Sequence, residues 1–294
     1  MNLAQITLPE SVVTIEDYAF SACTALEQIA LPANVTTIGN VAFGACAFEQ
    51  ISLPGSVTTI GDQAFSRCLY LQEISIPKSV TFIGNGVFES DASLTAIEVD
   101  SENPNYCSVD GVLFSKDMTL LREYPCGRQA TAYTIPDEVT TVNDKAFSRN
   151  SALSQLTISK NVTTIGDEAF AGCFMLEEIT VWATTPPSLK ENSFFSVNNE
   201  IPVYVPEGTL GDYQASDWSY FTNLQENPSS SVSELTFPED IRCADGMLLN
   251  PQGRFIRVYD LTGRLVYSGR DTARTFPTGI YVVRCEDTAI KMAL

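Results

Sequence analysis

The side chains that carry out most enzyme chemistry are either missing from this sequence or repeated along it at fixed intervals. The chain of 294 residues contains no histidine. This absence removes Ser-His-Asp and Cys-His nucleophile pairs, imidazole metal ligands and imidazole acid–base catalysis. Glycine-rich phosphate-binding motifs, the G-x-S-x-G nucleophile motif and the EF-hand calcium loop are also absent from the sequence. We therefore expect a protein without catalytic residues, metal or cofactor.

Carboxylates are abundant, and they leave one enzymatic alternative open. Glycosidases need two carboxyl groups flanking the bond that they cleave, and the 36 Asp and Glu residues provide many pairs. Most of them fall at solvent-facing positions of a repeat, which is typical of residues that keep a protein soluble. The formal net charge of −19 also disfavours binding to nucleic acid or to an anionic membrane surface.

Eight cysteines provide the other reactive group. Four of them occupy the same position of different repeats, where Asp91 and Asn150 stand in two further copies. These four are Cys23, Cys46, Cys68 and Cys173. No two cysteines have the C-x-x-C spacing of many metal and redox sites. One cysteine per repeat instead predicts a column of buried free thiols about 5 Å apart.

The four cysteines outside this column leave disulfide bonding open. Cys107 and Cys126 lie near the base of a predicted insertion, whereas Cys243 and Cys285 share the C-terminal segment. Disulfide connectivity does not follow from the sequence alone. We expect mostly free thiols, and a bridge between Cys107 and Cys126 remains an alternative.

The elements that position these residues are copies of one repeat. "LPANVTTIGNVAFGAC" begins at Leu31, "LPGSVTTIGDQAFSRC" at Leu53 and "ISKNVTTIGDEAFAGC" at Ile158. Successive copies are 22 to 24 residues apart, except for one step of 36 residues between Ile97 and Tyr133. This period predicts a solenoid, because each coil can bury its apolar side only against the next coil.

Each copy of the repeat predicts two strands and a turn. The alternation at Leu26, Ile29 and Leu31 predicts a strand with one buried face, and the proline that follows ends it. The β-branched stretch "VTTI" predicts a second short strand. The segment "D-x-A-F-x-x-C" is long enough only for a single α or 3₁₀ turn. We therefore predict a right-handed, β-rich solenoid with short α or 3₁₀ turns.

A column of phenylalanines is predicted to run through the core. Each member follows an alanine or another small residue, which allows the turn to approach the strands. Burial of each ring is worth about 1.5–3 kcal/mol. We expect the column to have a structural role. Its members are Phe20, Phe43, Phe65, Phe88, Phe147 and Phe170, with Phe194 as a further member.

The solvent-facing side of the first strand of each coil is the candidate binding surface, here called the strand face. We expect nine strands to form a continuous face about 38 Å long, at about 4.8 Å per strand. Solenoids bind proteins through such surfaces, whereas the rows of this face lack aromatic residues that would stack on sugars. The simpler alternative is a set of ordinary solvent-exposed residues. The candidate binding residues are Gln28, Gln50, Ser52, Glu73, Ser75, Glu98, Thr134, Gln155, Thr157, Glu178 and Thr180.

Changes in the sequence pattern divide the chain into domains. We predict that the solenoid covers residues 1–224 and ends in a cap at about residues 182–224. A polar linker follows at residues 225–234. Residues 235–294 contain strand-like runs separated by Gly, Asp and Thr turns, and they predict a small β-sandwich.

The long step in the repeat predicts a hairpin insertion at about residues 100–128. The segments "DGVLF" and "LLREYP" are expected to pair around a turn between Lys116 and Thr119. The hairpin forms a second, protruding binding candidate through its aromatic residues, although some of these must pack against the solenoid. The aromatic residues are Tyr106, Phe114 and Tyr124.

The recurring pattern "LP-x-S/N-V-T-x-I-G-x-x-A-F-x-x-C" resembles the BspA-like leucine-rich repeat family of bacterial surface proteins. The resemblance extends from Met1 to Asn223 and includes the hairpin insertion and the terminal cap. It implies a leucine-rich repeat fold, a cell-surface location, and a role in adhesion or in binding host proteins. The sequence departs from the family pattern at its start, where no cap precedes the first coil.

The C-terminal segment resembles the sorting domain of type IX secretion in Bacteroidetes. "VYDLTGRLV", "TGIYVV" and the late Lys291 carry this resemblance. It implies an Ig-like sandwich that serves as an address and attachment tag. An ordinary Ig-like end module is the alternative, since many functions share that architecture.

These expectations describe a non-catalytic scaffold that is secreted or attached to the outer membrane. Its partner is expected to be an unidentified protein, such as a host extracellular-matrix or surface protein. We expect a monomer without a transmembrane segment, whose signal peptide has been removed from the sequence. A carbohydrate-binding or substrate-presenting accessory protein and a purely structural spacer are the alternatives.

Overall fold

The computed structural model describes residues 3–227, 241–244, 247–250, 252–254, 256–259, 265–275, 280–285 and 288–293. The chain separates into two compact units, residues 1–230 and residues 231–294. The boundary lies within the predicted linker, and the predicted domain limits otherwise stay predictions.

The first unit consists mainly of short strands. Its elements are β1 (Thr14–Ile15), β2 (Thr37–Ile38), β3 (Thr59–Ile60), β4 (Glu73–Ile76), β5 (Phe82–Ile83), β6 (Ala96–Val99), β7 (Tyr106–Val109), β8 (Val112–Ser115), β9 (Leu120–Glu123), β10 (Ala132–Thr134), β11 (Thr141–Val142), β12 (Gln155–Ile158), β13 (Thr164–Ile165), β14 (Glu178–Val181), β15 (Ser188–Leu189), β16 (Val203–Val205), helix α1 (Leu210–Gln214), a 3₁₀ helix (Asp217–Tyr220) and β17 (Leu224–Glu226).

Two series of parallel strands follow each other along the first unit. The two-residue strands, which are Thr-Ile in most coils and are here called the Thr-Ile strands, pair in the order β1-β2-β3-β5 and again in the order β11-β13-β15. The longer β9 pairs with β11 at the start of the second series. The longer strands pair as β4-β6 and as β10-β12-β14-β16-β17. Parallel pairing places equivalent residues side by side, as at Ile38 and Ile60. This arrangement confirms the predicted β-solenoid, with about nine coils and little helix.

The turn that carries each phenylalanine is not helical, which corrects the expectation of an α or 3₁₀ turn. Val41 and Ala45 have left-handed φ angles of 53° and 60°. The backbone N–H groups of Gly44 and Cys46 donate to the carbonyl groups of Val41 and Phe43, three residues earlier. These bonds describe two successive reverse turns. A left-handed residue ends the right-handed helical backbone, so no helix can extend through this segment.

A column of Asp and Asn side chains, here called the Asx column, connects each turn to the next coil. Oδ1 of Asn40 accepts a hydrogen bond from the backbone N of Asp62 at 2.8 Å. Oδ1 of Asp62 accepts one from the backbone N of Asn85, also at 2.8 Å. The preceding glycine permits this approach, because a Cβ atom on Gly61 would lie 2.7 Å from the backbone N of Asn40. Coil-to-coil packing therefore explains the repeated "I-G-[DN]" step.

The predicted insertion forms an antiparallel meander that joins the solenoid. β7 pairs with β8, and β8 pairs with β9 across the turn that follows Ser115. β9 also pairs in parallel with β11 and takes the place of a Thr-Ile strand. The meander therefore supplies part of one coil. Its aromatic residues Tyr106, Phe114 and Tyr124 are buried against the coils, so the expectation of a protruding aromatic binding site is wrong.

The C-terminal end of the apolar core is covered by aromatic residues. The rings of Trp218 and Phe221 lie 5.6 and 5.1 Å from the ring of Phe194. Buried polar atoms in this cover have partners: Nε1 of Trp218 donates to the carbonyl of Pro187 at 2.8 Å, and the hydroxyl of Tyr213 donates to the carbonyl of Ala183 at 2.7 Å. Solenoids need such an end because the last coil has no neighbour.

The second unit contains only antiparallel strand pairs in its described residues. Its three-stranded sheet has the order β18-β19-β22, and its four-stranded sheet has the order β21-β20-β23-β24. The strands are β18 (Arg242–Ala244), β19 (Met247–Leu249), β20 (Ile256–Tyr259), β21 (Leu265–Gly269), β22 (Ala273–Thr275), β23 (Ile280–Cys285) and β24 (Thr288–Ala293). An Ig-like sandwich stays a prediction for this unit. The side chain of Lys291 lies outside the described residues.

Candidate functional site

The predicted phenylalanine column lies inside the solenoid in two stacks. From Phe20 to Phe88, neighbouring ring centroids are 5.4 to 5.9 Å apart. In the second stack, Phe147 and Phe170 are 4.8 Å apart, and Phe194 lies 5.0 Å beyond Phe170. All of these rings are buried. Their burial leaves them unavailable to a ligand.

Tyr124 and Cys126 belong to the same columns, although the repeat pattern did not reveal them. The ring of Tyr124 stacks 4.7 Å from Phe147. The Sγ of Cys126 donates to the carbonyl of Arg149 at 3.2 Å. Cys126 follows Tyr124 by two residues, whereas Asn150 follows Phe147 by three, as in the other copies of the repeat. The shortened turn hides both residues from an alignment by spacing.

The cysteine column is buried. The Sγ atoms of Cys46, Cys68 and Cys173 donate to phenylalanine carbonyls of the preceding coils at 3.2 to 3.3 Å. Burial raises the pKa of Cys46 and of Cys173 to about 12, and it also raises the pKa of Cys68. Because the thiolate is the reactive form, these thiols are poor nucleophiles and poor metal ligands. Cys23 is buried with them.

The remaining cysteines do not form the bridge that the sequence left open. Cys107 and Cys126 are both free thiols, and the Sγ of Cys107 donates to the carbonyl of Ser115 at 3.3 Å. The side chains of Cys243 and Cys285 lie outside the described residues. Within the part of the chain that the structure describes, no group of three or more Cys, Asp or Glu residues could hold a metal ion.

Every candidate residue of the strand face is exposed or half-buried. In β4 and β6, Glu73 pairs with Ala96 and Ser75 pairs with Glu98. In the C-terminal half, Gln155 pairs with Glu178 and Thr157 pairs with Thr180, while Thr134 pairs with Thr157. The described backbone has no strand pairing at Gln28 or Gln50, where the residues are nevertheless solvent-facing.

The expected continuous face of nine strands is wrong, because the insertion divides it. The turn between β7 and β8 lies beside β6: the backbone N of Ile97 donates to the carbonyl of Gly111 at 2.9 Å. A Cβ atom on Gly111 would lie 2.9 Å from the Cβ of Ala96. An ion pair between Arg128 and Asp110, at 2.7 Å, holds the same turn against the chain that leads into β10. The face therefore has two separate parts.

The N-terminal part contains two adjoining depressions of about 770 and 950 Å³, which share residues 50–53 and are here called together the acidic depression. Five carboxylates line it, and no lysine or arginine of the described residues does. The carboxylates are Glu27, Glu49, Glu73, Glu98 and Asp100. The sequence identified Gln28, Gln50, Ser52 and Ser75 on the same surface.

Aromatic residues border the strand face, although the predicted rows contain none. Tyr70 lines the acidic depression with 59% of its surface exposed. Tyr204 extends the row of Thr157 and Thr180 by one strand and is half-buried. The repeat pattern does not single out Tyr70, because this residue follows the cysteine column and precedes the strand.

Three buried carboxyl groups lie where the meander meets the preceding coil. Oε2 of Glu89 accepts hydrogen bonds from Gln63 and Lys145 at 2.7 and 3.1 Å. Oε1 of Glu123 accepts one from the backbone N of Phe88 at 3.3 Å, and burial raises the pKa of Glu123 to about 8. Burial also raises the pKa of Asp91, whose Oδ2 has no hydrogen-bond partner. The packing of the coils buries all three carboxyl groups.

Comparison with known families identifies the repeat. A family model described as "BspA type Leucine rich repeat region" matches residues 1–117 and 124–241 in six copies. No curated protein matches the chain at a significant level. No helix in the described residues has the length and apolar character needed to cross a membrane.

Solved structures of bacterial proteins share the fold. A leucine-rich repeat protein from Eubacterium ventriosum is 28% identical with a TM-score of 0.58, and the match covers 70% of this chain and 60% of that protein. The pneumococcal vaccine antigen PcpA is 23% identical with a TM-score of 0.52, covering 76% of this chain and 77% of that chain. This chain therefore spans 60% of the length of the Eubacterium chain that it matches.

Proposed function

Because this chain belongs to the BspA-type leucine-rich repeat family, we propose that it is a non-catalytic scaffold that binds another protein at or outside the bacterial cell surface. The strand face carries the proposal. It presents polar side chains on a backbone fixed by coil packing, which is how solenoids form broad recognition surfaces. The partner belongs to the class of extracellular-matrix or host-surface proteins, and the scaffold acts as a monomer.

Binding to immobilised extracellular-matrix proteins tests the proposal directly. The triple variant Gln50→Lys, Ser52→Lys, Glu73→Lys is expected to lose binding because it places three lysines on the strand face. The matched control is Gln214→Lys, Ser151→Lys, Glu138→Lys, which introduces the same changes at exposed positions elsewhere. Equal affinity of the first variant, the control and the unmodified protein would exclude this surface.

Carbohydrate binding is the second candidate, and the exposed ring of Tyr70 beside the acidic depression favours it. Aromatic rings stack on apolar sugar faces. A glycan array distinguishes the two functions: binding to glycans that is lost in Tyr70→Ala, without binding to matrix proteins, would replace the first proposal. The absence of binding in both assays would leave a structural spacer.

We also propose that the second unit is a β-sandwich that addresses the protein for type IX secretion and attachment. Its two antiparallel sheets contribute buried residues to a common apolar cluster, which includes Leu248, Val258 and Val283. In a host with type IX secretion, deletion of residues 231–294 is expected to abolish surface display. Unchanged display would contradict the sorting role.

A further inference from the structure

We propose that the acidic depression binds an extended polypeptide segment rich in lysine and arginine. This inference rests on the proposed protein-binding function, and it adds the location of the contact and the chemistry of the partner. Four features of the described residues support it: uncompensated charge, unpaired side chains, the spacing of the carboxylates and the aromatic rim.

The charge of the depression is not neutralised by its own lining. Its carboxylates come from four consecutive coils, and the lining includes no cationic side chain in the described residues. The nearby Lys78 is bound to Glu102 at 2.6 Å, and the guanidinium of Arg128 is bound to Asp110 at 2.7 Å. Carboxylates of one sign in a concavity concentrate the negative potential and attract cations.

Three of the five carboxylates in the depression are free, in contrast to polar side chains of the neighbouring surfaces. The other two accept one hydrogen bond each: Oε2 of Glu98 from the hydroxyl of Ser108 at 3.4 Å, and Oδ1 of Asp100 from the backbone N of Glu102 at 2.9 Å. On the Thr-Ile side, the hydroxyl of Thr58 bonds to the carbonyl of Thr36 at 3.2 Å, and the Asx column makes equivalent bonds between coils. No described side chain forms a hydrogen bond or an ion pair with the carboxylates of Glu27, Glu49 or Glu73. These carboxylates can therefore bind a partner without breaking an internal bond.

The carboxylates follow a diagonal line that fits an extended chain. In the repeat, Glu49 stands one position before Glu73, and Glu73 stands two positions before Glu98. With about 4.8 Å between coils and about 3.3 Å between residues along a strand, these steps are about 6 Å and 8 Å. Alternate side chains of an extended peptide are about 6.6 Å apart. Lysines at every second position can therefore each approach a carboxylate.

Tyr70 provides a second type of contact for the same ligand. Its ring is exposed at the edge of the depression near Glu49 and Gln50. Lysine and arginine bind to the faces of aromatic rings through cation–π interactions. A basic segment can therefore form ion pairs with the carboxylates and a cation–π contact with the ring of Tyr70, whereas an acidic or neutral segment can form neither.

Fluorescence anisotropy with a labelled ten-residue peptide of alternating lysine and threonine tests the proposal on the full chain. The triple variant Glu49→Gln, Glu73→Gln, Glu98→Gln is expected to bind the peptide about tenfold more weakly, which is a loss of about 1.4 kcal/mol shared by three exposed charge pairs. Raising the salt concentration should weaken binding of the unmodified protein. A peptide of alternating glutamate and threonine should not bind.

The control must separate the depression from the overall charge of the protein. The variant Glu16→Gln, Glu138→Gln, Glu200→Gln removes three exposed carboxylates outside the depression and changes the net charge equally. It should bind the peptide within about twofold of the unmodified protein. Equal losses in both triple variants, or no loss in either, would overturn the proposal. Equal melting temperatures would show that all variants are folded.

Failure of this inference can be distinguished from failure of the protein-binding function. If the lysine variant of the strand face loses a matrix protein but the glutamine variants bind the basic peptide equally, the function stands and the basic partner is wrong. If no matrix protein binds but the peptide binds at the depression, the local chemistry stands and the matrix protein is wrong.

Discussion

Phe65 shows how one side chain stabilises a stack of coils. Its ring lies between those of Phe43 and Phe88, with centroid distances of 5.5 and 5.9 Å. Removal of a fully buried phenylalanine side chain costs about 3–5 kcal/mol, because contacts are lost on every side and a cavity remains. We expect Phe65→Ala to lower the free energy of unfolding by this amount in urea titrations.

Phe82→Ala is the matched control, because the ring of Phe82 is 53% exposed. Phe82 lies on the solvent side of β5. Its replacement by alanine should cost less than about 1 kcal/mol, since exposed positions tolerate substitution. Similar losses in the two variants would contradict a buried, energetically important column.

The buried carboxyl of Glu123 makes stability depend on pH. Burial raises its pKa from 4.5 to about 8, so the folded protein retains a proton that the unfolded chain releases. The stability is therefore full below pH 4.5 and decreases as the pH rises toward 8. At about 1.36 kcal/mol per pH unit, the loss is about 3 kcal/mol at pH 7. Asp91, whose pKa is also raised, contributes in the same direction.

We expect Glu123→Gln to reduce this pH dependence, because the amide keeps an acceptor for the backbone N of Phe88 without a titratable proton. Urea titrations at pH 5, 6, 7 and 8 measure the effect, and the gain over the unmodified protein should increase with pH. Glu138→Gln, at an exposed position, should follow the unmodified protein. A constant difference between Glu123→Gln and the unmodified protein at all four pH values would contradict the shifted pKa.

At the scale of elements, the distance between coils is set by backbone contacts at the Asx column. The Cβ of an alanine at position 61 would lie 2.7 Å from backbone N of Asn40, which cannot move independently of its coil. We expect Gly61→Ala to cost about 2 kcal/mol or more, as overpacked sites do. Thermal unfolding should show a corresponding decrease in the melting temperature.

Gly55→Ala provides the comparison, because a Cβ atom there would meet no heavy atom within 4 Å. An alanine at this position should be neutral or slightly stabilising, since it restricts the unfolded chain. If both alanines had the same effect, the close approach of the coils at Gly61 would not limit the fold.

Asn143 is an exception to the glycine that otherwise allows neighbouring coils to approach at the Asx column. It occupies the position of the repeated glycine in the coil after the meander. In the meander coil, Arg122 and Glu123 follow the residue that pairs with Val142, so this coil contributes no Asp or Asn to the Asx column. Nδ2 of Asn143 instead donates to Oδ1 of Asn85, in the coil before the meander, at 2.9 Å. Asn85 in turn donates to Oδ2 of Asp144 at 3.1 Å. Coils separated in sequence thus bond directly where the intervening coil is short.

At the scale of the whole molecule, the aromatic residues Trp218 and Phe221 shield the last apolar layer of the solenoid from water. Trp218 is fully buried over Phe194. We expect Trp218→Ala to cost about 3–5 kcal/mol and to expose the last apolar layer. Hydrogen exchange should accelerate first in β14 and β16, because solenoid coils are stabilised by their neighbours.

The second tryptophan provides an internal control. The chain contains two tryptophans, and Trp182 is 39% exposed. Trp182→Ala should lower the free energy of unfolding by about 1 kcal/mol or less. The remaining fluorescence comes from Trp218, and acrylamide should quench it poorly because Trp218 is buried. Strong quenching in Trp182→Ala, or unchanged exchange in Trp218→Ala, would contradict the cover.

Much of the fold was predictable because each copy of the repeat places the same residue types at the same buried and exposed positions. The spacing of Phe43, Phe65 and Phe88 follows from one buried position per coil, and the strand alternation places Gln50 and Glu73 on the solvent side. The turn geometry was not predictable, because Val41 has a left-handed backbone that its side chain disfavours. Packing against the next coil compensates for that strain.

The sequence by itself determined the period, the buried columns and the solvent-facing rows, because these follow from burial at fixed intervals. The tertiary structure decided where the rows are interrupted and which carboxylates are left without partners. Gly111 lies beside Ala96 only after a meander of three strands has folded. Such contacts join residues that do not occupy equivalent positions of the repeat, so they depend on the packing of the meander against the coils.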